Sequence, residues 1–295
     1  MRLTAIARLT RALRNSRLGA LCFLLGSWTT AHAEEPRPWQ LGMQPSASPV
    51  RDQIDFLHDD ILLPIITIAS LFVLSLLVYV VFRFNAKRNP VPSKVAHNTT
   101  LEIVWTVVPI LVLGVISIFS LKLEYFMDKA QHPEMTLKVT GHQWYWSYQY
   151  QLTENGKETN AISFDANMIP EEDAAKQGKK RLLDTDNPVV LPVGTTIRIL
   201  VSGTDVIHSW FVPAFGVQEY AMPGRTNESW VKIDREGTFY GECNQICGVN
   251  HPFMPIEIQA ISKEAFAKWV EEAKKKFATR DDGAAPVSVA VNTLQ

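Results

Sequence analysis

Two uncharged apolar runs set the terms for the rest of this chain. Ile61–Phe82 carries no charged residue and is long enough to cross a hydrocarbon core of about 30 Å. Ile103–Leu121 is the second such run. A soluble core seldom hides two helices that are apolar all round, so the pair predicts a transmembrane hairpin over 59–126, with spans at about 61–83 and 102–123. Pro64 falls in the first turn of the first span, where a missing N–H matters least, and Pro109 should bend the second span without forbidding it. Arg83, Lys87, Arg88 and Lys94 occupy the short connection, whereas Asp59 and Asp60 precede the first span. The basic residues place the connection in the cytoplasm and both ends of the hairpin outside.

The N-terminal segment agrees with that orientation. Residues 1–33 carry Arg2, Arg8, Arg11, Arg14 and Arg17 without an acid, then the apolar run Leu18–Trp28, then Ala31-His32-Ala33. This is the pattern of a cleaved signal peptide, and the Ala-x-Ala ending favours it over a mitochondrial transit peptide. The expected location is a bacterial cytoplasmic (inner) membrane, with both termini and the C-terminal half in the periplasm. Cys22 would leave with the signal, so only two of the 3 cysteines remain. Residues 34–58 are expected to form a periplasmic arm, since Glu34–Val50 is rich in Pro, Gly, Ser and Gln and reads as extended chain. A net charge of −1 gives no electrostatic case for nucleic acid.

Beyond Phe126 the hydrophobic period changes to two. Met135–Gly141, Thr195–Ser202, Ser229–Asp234 and Pro255–Ile261 read as strands. Ile197, Ile199 and Val201 fall on one face, as do Ile256, Ile258 and Ala260. Asp186-Asn187-Pro188 and Pro223-Gly224-Arg225 are turn signals between them. Short strands with such punctuation predict an antiparallel β-sandwich over 127–261. Phe266, Trp269, Val270 and Phe277 recur at helical spacing and predict a short amphipathic helix over 262–278. Residues 279–295 are small and polar and read as a disordered tail, without the C-x-x-C-H motif of c-type haem.

Chemistry concentrates near the end of the sandwich, in Cys243-Asn244-Gln245-Ile246-Cys247-Gly248-Val249-Asn250-His251-Pro252-Phe253-Met254. Two thiols, an imidazole and a thioether share one loop, and His208 offers a second imidazole. A structural zinc site has no use for a thioether. A mononuclear blue-copper site would leave one cysteine without a role, whereas two cysteines bridging two coppers would use every donor. A disulfide between Cys243 and Cys247, with His251 and Met254 incidental, is the plainer alternative.

The stretch from Gly241-Glu242-Cys243 to Met254-Pro255 closely resembles the binuclear copper (CuA) loop of the cytochrome c oxidase subunit II family. Trp39-Gln40-Leu41-Gly42-Met43-Gln44 is similar to the start of mature bacterial members, so the likeness extends over most of the chain. The resemblance implies a cupredoxin-like sandwich behind a two-helix transmembrane hairpin, with a short C-terminal helix. It implies copper ligation by His208, Cys243, Cys247, His251, Met254 and the Gln245 backbone carbonyl. Electrons would enter from cytochrome c at Trp144, within Gly141-His142-Gln143-Trp144-Tyr145-Trp146, and leave for haem in subunit I. Oxygen reduction and coupled proton translocation would then belong to the complex with subunits I and III. Glu102, at the start of the second span, would collect protons at the cytoplasmic mouth of an uptake path, against the plainer reading of an acid at the membrane interface.

Some positions depart from the family pattern. Gln245 and Tyr220 stand where most members have a Glu and an Asp that serve a nearby Mg²⁺ or Mn²⁺, which predicts a weak or absent site for that ion. Thr204 and Gln149 replace acids that attract basic cytochrome c, leaving Asp186 and Asp205 for docking. Two other classes compete. A membrane-anchored copper-delivery protein would use C-x3-C on a thioredoxin-like fold with one anchor, and a quinol oxidase subunit would share the topology but lack these copper ligands.

Overall fold

The computed structural model describes residues 35–277 except 129, 131 and 155–156. The expected signal peptide over 1–33 and the expected tail over 279–295 lie outside the described residues. Helix α1 runs over Pro49–Arg83 and α2 over Thr99–Asp128, and both are long and apolar enough to cross a membrane. Their apolar side chains point outward, as a lipid-facing hairpin requires.

The arm expected over residues 34–58, extended as far as Val50, ends at Ser48. Ser48 Oγ accepts the Arg51 N–H at 3.1 Å, and Pro49 takes the first helical position, where its fixed φ suits the turn. Pro64 therefore lies inside α1 rather than in its first turn. Just before it, Phe56–Leu62 widens into π-helical bonding, in which the Leu63 N–H donates to the His58 carbonyl. The missing donor of Pro64 is met by a stretch whose hydrogen-bond register has already shifted. At the start of α2, the Asn98 side chain accepts the Leu101 N–H at 3.1 Å and the Glu102 carboxylate accepts the Asn98 N–H at 3.2 Å. That reciprocal pair defines the helix start.

Among the described residues, ten strands form two stacked sheets. They are β1 (Met135–His142), β2 (Tyr145–Glu154), β3 (Lys157–Ala166), β4 (Val189–Pro192), β5 (Thr196–Gly203), β6 (His208–Val212), β7 (Val217–Ala221), β8 (Asn227–Lys232), β9 (Gly237–Cys243) and β10 (Pro255–Ile261). One sheet has the order β3-β2-β1-β5-β8, the other β4-β10-β9-β6-β7. The expectation of a purely antiparallel sandwich is corrected in two places, since β1 pairs with β5 and β10 with β4 in parallel. Each parallel pair joins strands far apart in sequence, and only such long connections allow it. The stacked sheets also exclude the alternating strand–helix architecture that the copper-delivery alternative needs.

The alternating residues meet between the sheets. Leu137, Val139, Ile197, Ile199 and Val201 face Trp210, Phe239, Ile256 and Ile258, all at most 1% exposed. Each side chain buried in this way contributes roughly 1.5–3 kcal/mol relative to exposure. Tyr150 ties the sheets with a polar contact, because its hydroxyl accepts the Val190 N–H and donates to the Val190 carbonyl. Helix α3 (Glu171–Gln177) sits in the β3–β4 connection. Helix α4 (Lys263–Phe277) packs on β3 and β4, the edge strands at one side of the sandwich, with Trp269 against Tyr150 and Phe277 against Phe164. Covering edge strands removes a template for unwanted pairing.

Both membrane helices are tied to the sandwich. Ala47 N–H donates to the Ala214 carbonyl, the Ala47 carbonyl accepts from Asp234 N–H, and Ser48 Oγ donates to the Phe215 carbonyl at 2.7 Å. Buried Arg51 adds a bond to the Pro213 carbonyl at 3.2 Å. Gly216, at φ +65, leaves room for this approach, since a Cβ there would stand 2.6 Å from Ile54 and 3.1 Å from the Arg51 backbone. On α2, the Phe126 carbonyl accepts from Trp230 Nε1 at 3.0 Å. Ser48→Ala removes both bonds made by one hydroxyl. For a cap worth roughly 1 kcal/mol, the Arg51 and Asp52 amides should exchange hydrogen about fivefold faster. Unchanged exchange would mean that Ala47 and Arg51 hold the arm alone.

Candidate metal centre

Three connections converge at one end of the sandwich. β9 runs antiparallel to both β6 and β10, so its last residue, Cys243, lies beside the first residues of those strands. His208 opens β6, and Met254 immediately precedes β10. The β5–β6 connection and the β1–β2 turn reach the same end from the other sheet, because β1 and β5 are parallel and in register to Gly141 and Gly203.

The donors predicted from the sequence come together there. His208 Nδ1 is 3.9 Å from Cys243 Sγ, and the two thiols are 3.8 Å apart. Cys247 Sγ lies 3.5 Å from His251 Nδ1 and 3.6 Å from Met254 Sδ, while the Gln245 carbonyl is 3.3 Å from Cys243 Sγ. Both cysteines are free and buried. A disulfide needs sulfurs about 2.05 Å apart, so the pairing alternative is not what the chain forms. Buried thiol, imidazole, thioether and carbonyl donors in one cluster fit a soft or borderline metal, and copper accepts all four.

The surroundings hold the donors in place. Gly141 makes the space for His208, since a Cβ on it would stand 2.9 Å from the imidazole Cδ2. His208 Nε2 lies 2.9 Å from Asp205 Oδ1, which leaves Nδ1 directed at the thiols. The Trp146 indole donates to the Met254 carbonyl at 3.1 Å. Burial raises the Cys247 thiol pKa, and the neighbouring Cys243 charge raises it further. Burial also works against the Cys243 thiolate, but bonds from His208 and from the backbone outweigh it and the net shift is downward. For His208, burial opposes the charge and Cys243 and Asp205 prevail, so its pKa rises.

Other predicted residues lie differently. Trp144 is partly buried, with its Nε1 donating to the Cys247 carbonyl at 3.2 Å. Tyr145, between the two indoles, turns to stack on His142, and Trp146 enters the core. Glu102 caps α2 in another part of the chain and lines a small cleft with Thr99 and Thr106. Asp186 accepts the Asn167 N–H at 2.8 Å and remains exposed. Asp205, expected as a docking acid, is exposed, and it also accepts N–H groups of Gln143 at 2.7 Å and Val206 at 2.6 Å besides facing His208. The residues that offer a Mg²⁺ or Mn²⁺ site do not fit that ion. Gln245 brings a neutral amide and Tyr220 a phenol, where a hard cation wants carboxylate oxygens.

Comparison with known proteins bears on the same segments. Residues 135–261 match the family described as cytochrome C oxidase subunit II, periplasmic domain, and residues 36–123 match its transmembrane domain. The probable cytochrome c oxidase subunit 2 of Rickettsia bellii is 45% identical over 250 residues, covering 85% of this chain and 90% of that one. Cytochrome c oxidase subunit 2 of Oenothera berteroana is 46% identical over 244 residues, covering 82% and 93%. The solved periplasmic domain of subunit II from Bradyrhizobium japonicum cytochrome oxidase aligns at 48% identity and a TM-score of 0.44, covering 50% of this chain and 99% of that chain.

Gly141→Ala tests whether the space for His208 matters. Pushing the imidazole off its place should weaken metal retention by about 10-fold, the lower range for disturbing the support of a ligand. Metal analysis after dialysis against a chelator checks it, and wild-type retention would mean the ring moves without consequence.

Proposed function

The chain belongs to the cytochrome c oxidase subunit II family, and on that footing we propose that it is the subunit that accepts electrons from reduced cytochrome c. The observation that carries the reading is the pair of unbonded thiols 3.8 Å apart, with His208, His251, Met254 and the Gln245 carbonyl around them. His208, Cys243, Gln245 (through its carbonyl), Cys247, His251 and Met254 would hold a binuclear copper centre. When bound, such a copper pair would supply one-electron transfer between cytochrome c and haem in subunit I, where oxygen would be reduced.

The chain's own residues do the rest. Strand ends fix His208 and Cys243, so the donor positions change little with redox state, which keeps transfer fast. Burial excludes water from the thiols. Trp144 lies on the outer side of the loop with its indole bonded to the Cys247 carbonyl, and it is the residue we assign to receive electrons. The two apolar helices anchor the chain in the membrane. We place the sandwich on the periplasmic side of a bacterial cytoplasmic membrane, with subunits I and III as partners, and Glu102 on the cytoplasmic side at the mouth of a proton-uptake path. The Mg²⁺ or Mn²⁺ ion of the family has no part in this scheme.

The test is metal analysis with electron paramagnetic resonance on the purified oxidase, with haem signals subtracted. Two coppers in this subunit sharing one unpaired electron equally are expected. One copper with a localised signal would defeat the binuclear reading. A second measurement addresses docking. With Thr204 and Gln149 neutral, turnover with cytochrome c should fall only modestly as ionic strength rises. A loss within the roughly 10- to 10³-fold range of strongly steered pairs would contradict that account.

A further inference from the structure

Cys247 sits in the least regular part of the centre. Cys243 ends a strand and His208 begins one, but Cys247 lies in the connection between β9 and β10, outside both strands. Its neighbours make few backbone bonds: Asn244 N–H donates to the Ser209 carbonyl, His251 N–H to the Gly248 carbonyl, and Phe253 N–H to the Asn250 carbonyl. The Cys247 carbonyl is fixed from outside the loop, by the β1–β2 turn. Gln143 Nε2 donates to it at 2.8 Å, and Trp144 Nε1 donates to it at 3.2 Å. A carbonyl only accepts, so Gln143 must present its amide N–H₂ there.

The same Gln143 serves the other half of the centre through its backbone. Its N–H donates to Asp205 Oδ2 at 2.7 Å, while Asp205 Oδ1 faces His208 Nε2 at 2.9 Å. One residue therefore connects the imidazole on β6 to the thiol in the β9–β10 loop. The contact is close-packed. A Cβ on Gly248, itself at φ +125, would stand 2.9 Å from the Trp144 ring and 3.2 Å from Gln143 Nε2. Gly248 thus lets the turn lie directly on the loop.

We propose that Gln143 is a positioning residue for the copper centre, a clamp whose side chain holds the Cys247 loop against the Trp144 indole while its backbone holds Asp205 on His208. The inference rests on the copper reading above. It differs from a role in which Gln143 merely touches cytochrome c, because a contact residue changes docking and leaves the centre alone.

Substitution separates the two bonds, since the backbone N–H to Asp205 survives any side-chain change except proline. Gln143→Met keeps length without a donor, and Gln143→Glu keeps shape but sets a carboxylate against a carbonyl. Both would be made in the full oxidase and purified beside the wild type. Copper loss to a chelator should be about 10-fold faster in each variant, with altered copper hyperfine splitting and a KM for cytochrome c within about twofold of wild type. If Gln143→Met does not assemble, Gln143→Glu carries the test. Wild-type copper loss and spectrum in the variants, with or without a raised KM, would overturn the clamp and leave the copper assignment intact. A wild-type subunit with no copper would overturn the assignment itself, and the clamp with it.

Discussion

Two thiols that stand close together without joining are the constraint on which this structure depends. At 3.8 Å the sulfurs of Cys243 and Cys247 are too far apart for a bond and near enough for one metal to touch both. Left to a flexible loop in an oxidising compartment, such a pair would close into a disulfide. The chain opposes closure by fixing each cysteine from a different direction. Cys243 is locked by the β6–β9–β10 ladder, whereas Cys247 is held by its carbonyl to the β1–β2 turn of the opposite sheet. The two-sheet sandwich is what brings those supports to one end.

That division makes the centre asymmetric. His208, Cys243 and Met254 stand at strand ends, and the Trp146 bond to the Met254 carbonyl adds a further tie to the core. Cys247 and His251 belong to the loop and have no strand behind them. Local opening would therefore begin on the loop side. The glycines mark where the two halves close on each other. Gly141 admits the His208 ring and Gly248 admits the β1–β2 turn, and a methyl group at either would meet a ring atom 2.9 Å away.

Much of this architecture is legible in the amino-acid sequence, because the responsible signals are local. Uncharged runs report the membrane helices, alternation at Ile197, Ile199 and Val201 reports a strand, and a loop holding two Cys, a His and a Met reports a metal. The remainder depends on pairings that a sequence does not record. The Ser48-Pro49 start of α1 is written in the chain, but the Pro- and Ser-rich arm before it argues for extension. The parallel β1–β5 and β4–β10 pairs are decided by packing between distant segments. Asp205 reads as a surface acid and is exposed, but nothing local reveals that the β1–β2 turn also offers it an N–H. The Asp205-x-x-His208 spacing is the available hint, since a ligating imidazole commonly gives its second nitrogen to a carboxylate. Gln143 carries no hint at all, for its partner lies 104 positions away.

Asp205 supports the centre and also belongs to its rim. It holds His208 Nε2 and two backbone N–H groups while its side chain stays 33% exposed, so its charge still faces solvent. Around it the rim is apolar: Ile246 and Val249 are 82% and 84% exposed, and Ile207 is 40% exposed. Charge attracts over about a Debye length, roughly 10 Å at 0.1 M salt, whereas apolar burial acts only on contact. With Thr204 and Gln149 neutral and Ile246 and Val249 bare on the loop tip, charge at this rim is sparse and contact by fit at short range gains weight. Such contact favours a loop held in one conformation, and the β1–β2 turn provides that hold.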